Sequence, residues 1–256
     1  MKELDEAVSK TQNYAKIYGQ NLSDKQLFLR LISKNSHQFT EIKGKGSIKV
    51  TENDWENKFR KAKLFSDKYL RKMKGILMVG VTGSVAAEFA FKNEDIDLLI
   101  VTRKNELWWW RLYLRFFIWW HKIPHRKFGE KENADEFCFN LWLDENNLKI
   151  PASKRNLKNA MDLVMMKVVW EKDSIYYKFL KDNQWVKNYL ATGYKERIKI
   201  SRKIEKKISS NNKNNLMKII NKILFKGQCL YMQVINKQKL NKNEIDVGRA
   251  FFHKNS

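Results

Sequence analysis

A chain of 256 residues with 43% hydrophobic and 13% aromatic side chains can bury a sizeable core, which excludes an intrinsically disordered protein. Only two prolines and ten glycines among abundant Lys, Leu, Ile and Glu argue for long helices and against a many-turned all-β fold. The formal net charge of +23 points to anionic partners such as RNA, DNA, nucleotides or acidic lipid, although AT-rich coding also enriches Lys, Asn and Ile without any such partner.

Residues 1–36 read as helical, with a start at Ser23-Asp24 and an apolar stripe of Leu27, Phe28, Leu31 and Ile32. Residues 39–50 hold two short alternating runs around Gly44 and Gly46, which fit either a small hairpin or a short ordered arm. Residues 54–73 form a basic amphipathic helix with Trp55, Phe59, Ala62, Leu64, Phe65 and Tyr69 on one face. The run 76–81 is apolar throughout, apt for a strand buried on both faces. Thr82-Gly83-Ser84 is a turn, 84–91 a short Ala-rich helix, 95–101 a second buried strand and 106–122 a further helix. Residues 136–143 alternate and read as a third strand. After Pro151 the chain reads as helical throughout, in segments near 156–171, 173–190, 194–209, 214–236 and 243–251, with a polar linker at 209–215.

Nucleotidyl transfer needs a cradle for a triphosphate and carboxylates that hold a divalent cation against the phosphorus under attack. The turn at 82–84 can supply the cradle: Gly83 lets a phosphate approach the backbone, and Ser84 can cap the helix or donate to a phosphate oxygen. Asp95 and Asp97 lie two apart in a strand, on one face and about 7 Å apart along it, so they can share a cation. Either feature alone is common. An apolar strand, Gly-Ser, a helix and then Asp-Ile-Asp in a second apolar strand form a far more specific compound.

Thr82-Gly83-Ser84 with Asp95-Ile96-Asp97 resembles the signature of the polymerase-beta-type nucleotidyltransferase superfamily over about residues 74–144. The chain is also similar to a bacterial branch of such proteins in four further stretches: Leu107-Trp108 with Arg111, residues 137–144, Asn183-Gln184-Trp185-Val186, and Phe251-Phe252-His253. The resemblance implies that Asp95 and Asp97 bind Mg²⁺ or Mn²⁺, and that Gly83, Ser84 and the adjacent Thr82 bind a nucleoside triphosphate. It implies attack by an acceptor hydroxyl on the α-phosphorus, with pyrophosphate leaving. Members of the superfamily place a third carboxylate on the next strand. Strict alternation there puts Glu136, Cys138, Asn140 and Trp142 on one face, so Asn140 stands where the acid is sought, with Glu136 or Asp144 as substitutes in another register.

Leu107–Trp120 is too short to span a bilayer and carries Arg111 and Arg115; the expectation is a crossover helix on the sheet, the minority alternative an interfacial membrane helix. The basic loop His121–Lys127 either reaches phosphates of an acceptor or is a solvated connection. The Lys-rich helices at 194–226 fit an RNA-binding flank or an ordinary soluble face, with Ile198, Ile200, Ile204, Ile208, Ile219, Ile220 and Ile223 as their core. Cys138 and Cys229 have no metal-like spacing and read as buried thiols, which with no secretory signal favours a cytoplasmic chain.

The expected fold is α+β: a helical arm at 1–73, a small mixed-sheet nucleotidyltransferase core at 74–150 and a helical domain at 151–256. The expected activity moves a nucleoside monophosphate to a hydroxyl of unidentified RNA, protein or other acceptor. The alternative is a non-catalytic module of the same fold that binds RNA or a partner protein.

Overall fold

The computed structural model describes residues 2–47, 54–126, 133–202, 215–234, 240 and 244–252. Helices α1 (Lys2–Ile17), α2 (Asp24–Arg30) and α3 (Phe39–Ile42) pack around Leu27, Leu31 and Ile42. Ser23 starts α2 as its sequence suggests. Its Oγ accepts from the Gln26 amide and the Gln26 side chain accepts from the Ser23 N–H, a reciprocal cap. The hairpin reading of 39–50 is overturned in its first arm, which is a helical turn; residues 48–50 lie outside the described residues. The Glu41 carboxylate accepts from the Gln38 N–H at 2.6 Å and fixes that turn. Gly44 and Gly46 donate their N–H groups to Asp24 at 2.8 and 2.7 Å, so this glycine segment clamps the start of α2 instead of reversing a ladder.

Helix α4 (Trp55–Lys68) buries Ala62 and Phe65 and leaves Leu64 exposed. There follow β1 (Ile76–Val81), the single turn α5 (Gly83–Ala86), β2 (Ile96–Thr102), α6 (Leu107–Trp120) and β3 (Phe137–Asp144). Then come α7 (Leu157–Met165), β4 (Lys167–Glu171), α8 (Ile175–Asp182), α9 (Lys187–Arg202), α10 (Asn215–Val234), β5 (Ile245–Asp246) and β6 (Arg249–Phe251). The helical reading after Pro151 is therefore wrong at 167–171 and at 245–251. Val168, Val169 and Trp170 favour a pleated strand, and β4 pairs with the free edge of β1. At the other site Gly248 N–H donates to Asp246 Oδ1 at 2.8 Å and folds a tight hairpin whose second arm pairs with β3.

The six strands lie in the order β4-β1-β2-β3-β6-β5, with β2 and β3 parallel and every other pair antiparallel. This is the expected mixed sheet in an α+β fold. Both faces are covered, which is why β1 and β2 are nearly continuous apolar runs. Ile96, Leu98, Ile100 and Trp142 face one core with Phe65, Trp108 and Ile118; Leu99, Val101 and Leu143 face the other with Leu163, Phe179 and Leu190.

Residues far apart in sequence tie the helices to the sheet. Arg111 is buried between the Trp108 and Phe252 rings, at 5.3 and 4.5 Å from their centroids, and donates to Gln228. Asn183, fully buried, accepts from Ile150 N–H and donates to the Leu148 and Phe179 carbonyls, each at 2.8 Å. Two of the four branch stretches thus meet around Arg111. His253 and residues 209–214 lie outside the described residues.

Helix α9 crosses α2 at Gly193, where an added Cβ would lie 2.0 Å from the Leu29 carbonyl oxygen. Backbone cannot yield there as a side-chain tip can. Gly193→Ala is expected to destabilise the protein by about 1–3 kcal/mol, the usual cost of overpacking. A denaturant melt with an unchanged midpoint would contradict this contact.

Candidate active site: two carboxylates, a thiol and a glycine turn

The turn after β1 and the head of β2 sit against each other. Thr82 N–H donates to the Asp97 carbonyl at 3.0 Å, which holds the turn beside the strand. Gly83 has φ +64, and a Cβ placed on it would lie 2.7 Å from Asp97 Oδ2. Glycine is required there both by the left-handed backbone and by the acid. Ser84 follows in the same turn, half-buried. The expected helix at 84–91 is cut to one turn, because Glu88 adopts a left-handed conformation at φ 65 and ion-pairs with Lys167.

Asp95, Asp97 and Cys138 each place a ligand atom within 4.8 Å of the others. Cys138 enters this group through an irregularity in the sheet. Asp97 pairs with Cys138 and Leu99 with Leu141, so Phe139 and Asn140 together oppose Leu98 alone. The extra residue overturns the expected alternation: Trp142 joins Phe137 on one face, while Leu141 and Leu143 follow Cys138 and Asp97 on the other. Cys138 therefore stands in register beside Asp97, where a third acid was sought. Asn140 donates its side-chain amide to Cys138 Sγ. Glu136 precedes β3, accepts from Asn133 at 3.2 Å and lies outside the acid and thiol group. Asp144 pairs with Thr102 at the far end of β3, where it accepts from the Asn146 N–H and the Asn147 amide.

Two basic residues hold the approach to Asp95. Lys58, which the amphipathic pattern of α4 put on a basic solvent face, is fully buried. Its ammonium donates to the Lys92 and Glu94 carbonyls at 3.0 and 2.7 Å and pairs with Asp135 at 3.1 Å. It thereby fixes the backbone immediately before Asp95. Arg126, from the basic loop, places Nη1 2.8 Å from Asp95 Oδ2. Its backbone N–H donates to the Phe137 carbonyl, so the end of that loop is tied to the start of β3. Lys127 lies outside the described residues.

Burial pushes the Asp97 carboxyl up to about 7, and the charge of Asp95 beside it adds to the rise. Asp162 on α7, itself raised by burial to about 6, adds a smaller share. Burial and then the two acids push the Cys138 thiol far above its ordinary value, so it stays protonated and donates to Asp97. Sequence pattern gave no sign of Asp162 or Lys58, which come from helices distant in the chain. Cys138 was visible in its strand but misplaced by the irregular register.

The residues fit a hard divalent cation. Asp97 Oδ1 is buried without a hydrogen-bond partner, and two adjacent carboxylates without a cation repel each other. Carboxylate oxygens suit Mg²⁺ or Mn²⁺; a protonated thiol adds no charge and is a poor ligand for either. A cation on Asp95 would share that carboxylate with Arg126 or displace it.

The raised Asp97 pKa predicts a pH dependence. Between 3.8, the ordinary value, and about 7 the folded chain holds a proton that the unfolded chain has lost. Stability of the cation-free protein therefore falls as pH rises through that window and levels off above it. Asp97→Asn should flatten this slope, leaving the share of the other acids that burial raises, Asp162, Asp144 and Glu171. Chemical denaturation across the window would contradict the assignment if wild type and Asp97→Asn gave the same slope.

A family model described as a nucleotidyltransferase domain matches residues 65–220, more than half of the chain. A search of curated proteins finds no match. The matched span runs from α4 through β1–β4 into α10 and includes the glycine turn and both carboxylates. The chain belongs to the nucleotidyltransferase domain family, of the polymerase-beta-like superfamily.

Proposed function

We propose that the protein transfers a nucleoside monophosphate from a nucleoside triphosphate to a hydroxyl acceptor, with Mg²⁺ or Mn²⁺ as the required cation. The observation that carries this reading is the adjacency of Asp95, Asp97 and the Gly83 turn. Asp95 and Asp97 would hold the cation, which neutralises charge on the triphosphate and polarises the α-phosphorus. The Gly83 backbone and Ser84 would hold the outer phosphates, and the absent Cβ at Gly83 leaves room for phosphate beside Asp97. Arg126 would supply a positive charge beside the phosphates once Asp95 turns to the cation. An acceptor hydroxyl attacks the α-phosphorus in line, the bond to the β-phosphate oxygen breaks and pyrophosphate leaves with the electron pair. The hydroxyl proton passes to solvent. Asn140 would serve the site only indirectly, through the thiol its amide contacts, and Glu136, outside the acid and thiol group, would take no part in cation binding.

A second reading is favoured by one specific feature: a protonated thiol stands beside Asp97 where an acid would add charge. On this reading the fold is a binding module for RNA or a protein partner, without transfer.

Incubation with each α-phosphate-labelled nucleoside triphosphate, Mg²⁺ or Mn²⁺, and total RNA or protein separates the two. Transfer should appear, should vanish on chelation, and should drop by roughly two to three orders of magnitude in Asp95→Ala and Asp97→Ala. Cys138→Asp should retain or raise it. No label transfer and no pyrophosphate with any acceptor would leave the binding reading.

A further inference from the structure

We infer that the outward faces of α6 and α10 form a docking surface for an anionic lipid bilayer. In α6 the inward stripe is Leu107, Arg111, Leu114 and Ile118. On the opposite side Trp109, Tyr113, Phe116 and Trp120 recur at i, i+4, i+7 and i+11, with exposures rising from 41% at Trp109 to 75% at Trp120. Trp119 beside them is 68% exposed. The crossover reading of this helix explains one face and leaves the other aromatic face in water.

Helix α10 packs Leu224, Phe225, Cys229 and Met232 against the core, and yet carries a second apolar stripe on its outward side. Its inward residues include Asn221 and Gln228, while Leu216, Ile219, Ile223, Leu230 and Val234 are between 57% and 65% exposed. The expectation that Ile219 and Ile223 form a helical core, and Ile200 with them, is thus overturned; Ile204 and Ile208 lie outside the described residues. The inward polar groups have a structural use. Asn221 Oδ1 accepts from Trp108 N–H and Gln228 donates to the Trp108 carbonyl, each at 2.8 Å, which locks α10 onto α6. No such use accounts for the aliphatic stripe facing outward. An exposed apolar surface of this kind marks a contact.

Charge selects the occupant. The exposed cations of the two helices are Arg115, Lys218, Lys222 and Lys226, and neither helix carries an acidic residue, on a chain of net charge +23. A second copy would bring like charge against like charge. Nucleic acid would satisfy the charges and could stack on the aromatic rings, yet it offers nothing to Leu216, Ile219, Ile223, Leu230 and Val234. An anionic bilayer meets all three features. Acyl chains receive the aliphatic and aromatic stripes, Trp and Tyr settle at headgroup depth, and phosphates meet the flanking cations. No helix among the described residues is long and apolar enough to cross a membrane, so the contact lies on the surface.

Flotation of the full chain with vesicles tests this. It should float with phosphatidylglycerol-containing vesicles, not with phosphatidylcholine alone, and less as salt rises. Phe116→Ser with Trp120→Ser, and separately Ile223→Ser with Leu230→Ser, should each lower partitioning at least tenfold while the thermal melt stays that of wild type. Lys218→Glu with Lys222→Glu, which touch no core, should do the same if a serine variant unfolds. The proposal is overturned by a wild-type chain that ignores anionic vesicles or by serine variants that float as wild type does. It is equally overturned by sedimentation showing a dimer lost in Phe116→Ser with Trp120→Ser, or by RNA binding lost in those variants without any lipid binding in wild type.

Discussion

Two carboxylates in one poorly solvated place repel each other, and this chain holds such a pair at the head of a buried strand. Asp95 and Asp97 are brought together with a thiol within 4.8 Å. Much of the surrounding structure answers that repulsion. Arg126 pairs with Asp95, Cys138 donates to Asp97, and the Asp97 carboxyl is pushed up to about 7. Lys58, buried in α4, fixes the backbone just upstream. A fold that needed only stability would place apolar side chains there, because a buried like-charge pair costs more than it returns. The arrangement makes sense when a cation joins the two acids.

The glycine turn completes the argument from the other side. An alanine at Gly83 would press against Asp97 Oδ2, so the glycine keeps open the space between the turn and the acid, where the proposed function would seat a phosphate. The turn's helix is one turn long. Its dipole is correspondingly small, so on the proposed function phosphate would be held by backbone N–H groups, Ser84 and the cationic Arg126. Cys138 is the one member of the cluster that gives no charge in its protonated state. It distinguishes this site chemically from one built of three acids, and it would leave a cation more dependent on Asp95 and Asp97.

Much of this was legible in the sequence, for identifiable reasons. The apolar runs 76–81 and 95–101 signal strands covered on both faces, and the Gly-Ser turn with Asp-x-Asp at its spacing signals the site. What failed depended on contacts distant in the chain. Alternation misplaces the third position on β3 because it holds only in a regular ladder, and the extra residue at Phe139-Asn140 shifts every later side chain to the other face. Lys58 carries a charge and so looks exposed by pattern, although two carbonyls and Asp135 receive its ammonium inside the protein. The strand at 167–171 continues the apolar pattern of the helix before it and is separated from it only by the edge of β1 waiting to be paired. In α10 residue type alone suggests a core role for Ile219 and Ile223, whereas the inward positions are shared by Leu224, Phe225, Cys229 and Met232, which pack on the core, and by Asn221 and Gln228, which bind α6.

The central claim is that the paired acids bind a divalent cation where a triphosphate rests on the glycine turn. Crystals soaked with Mn²⁺ and a non-hydrolysable nucleoside triphosphate analogue test it by anomalous diffraction. The account predicts a manganese peak within coordination distance of both carboxylates, with Arg126 drawn off Asp95 or sharing it, and phosphate density against Gly83 and Ser84. A peak elsewhere, or none, with Arg126 still closed on Asp95 and no phosphate at the turn, would contradict it.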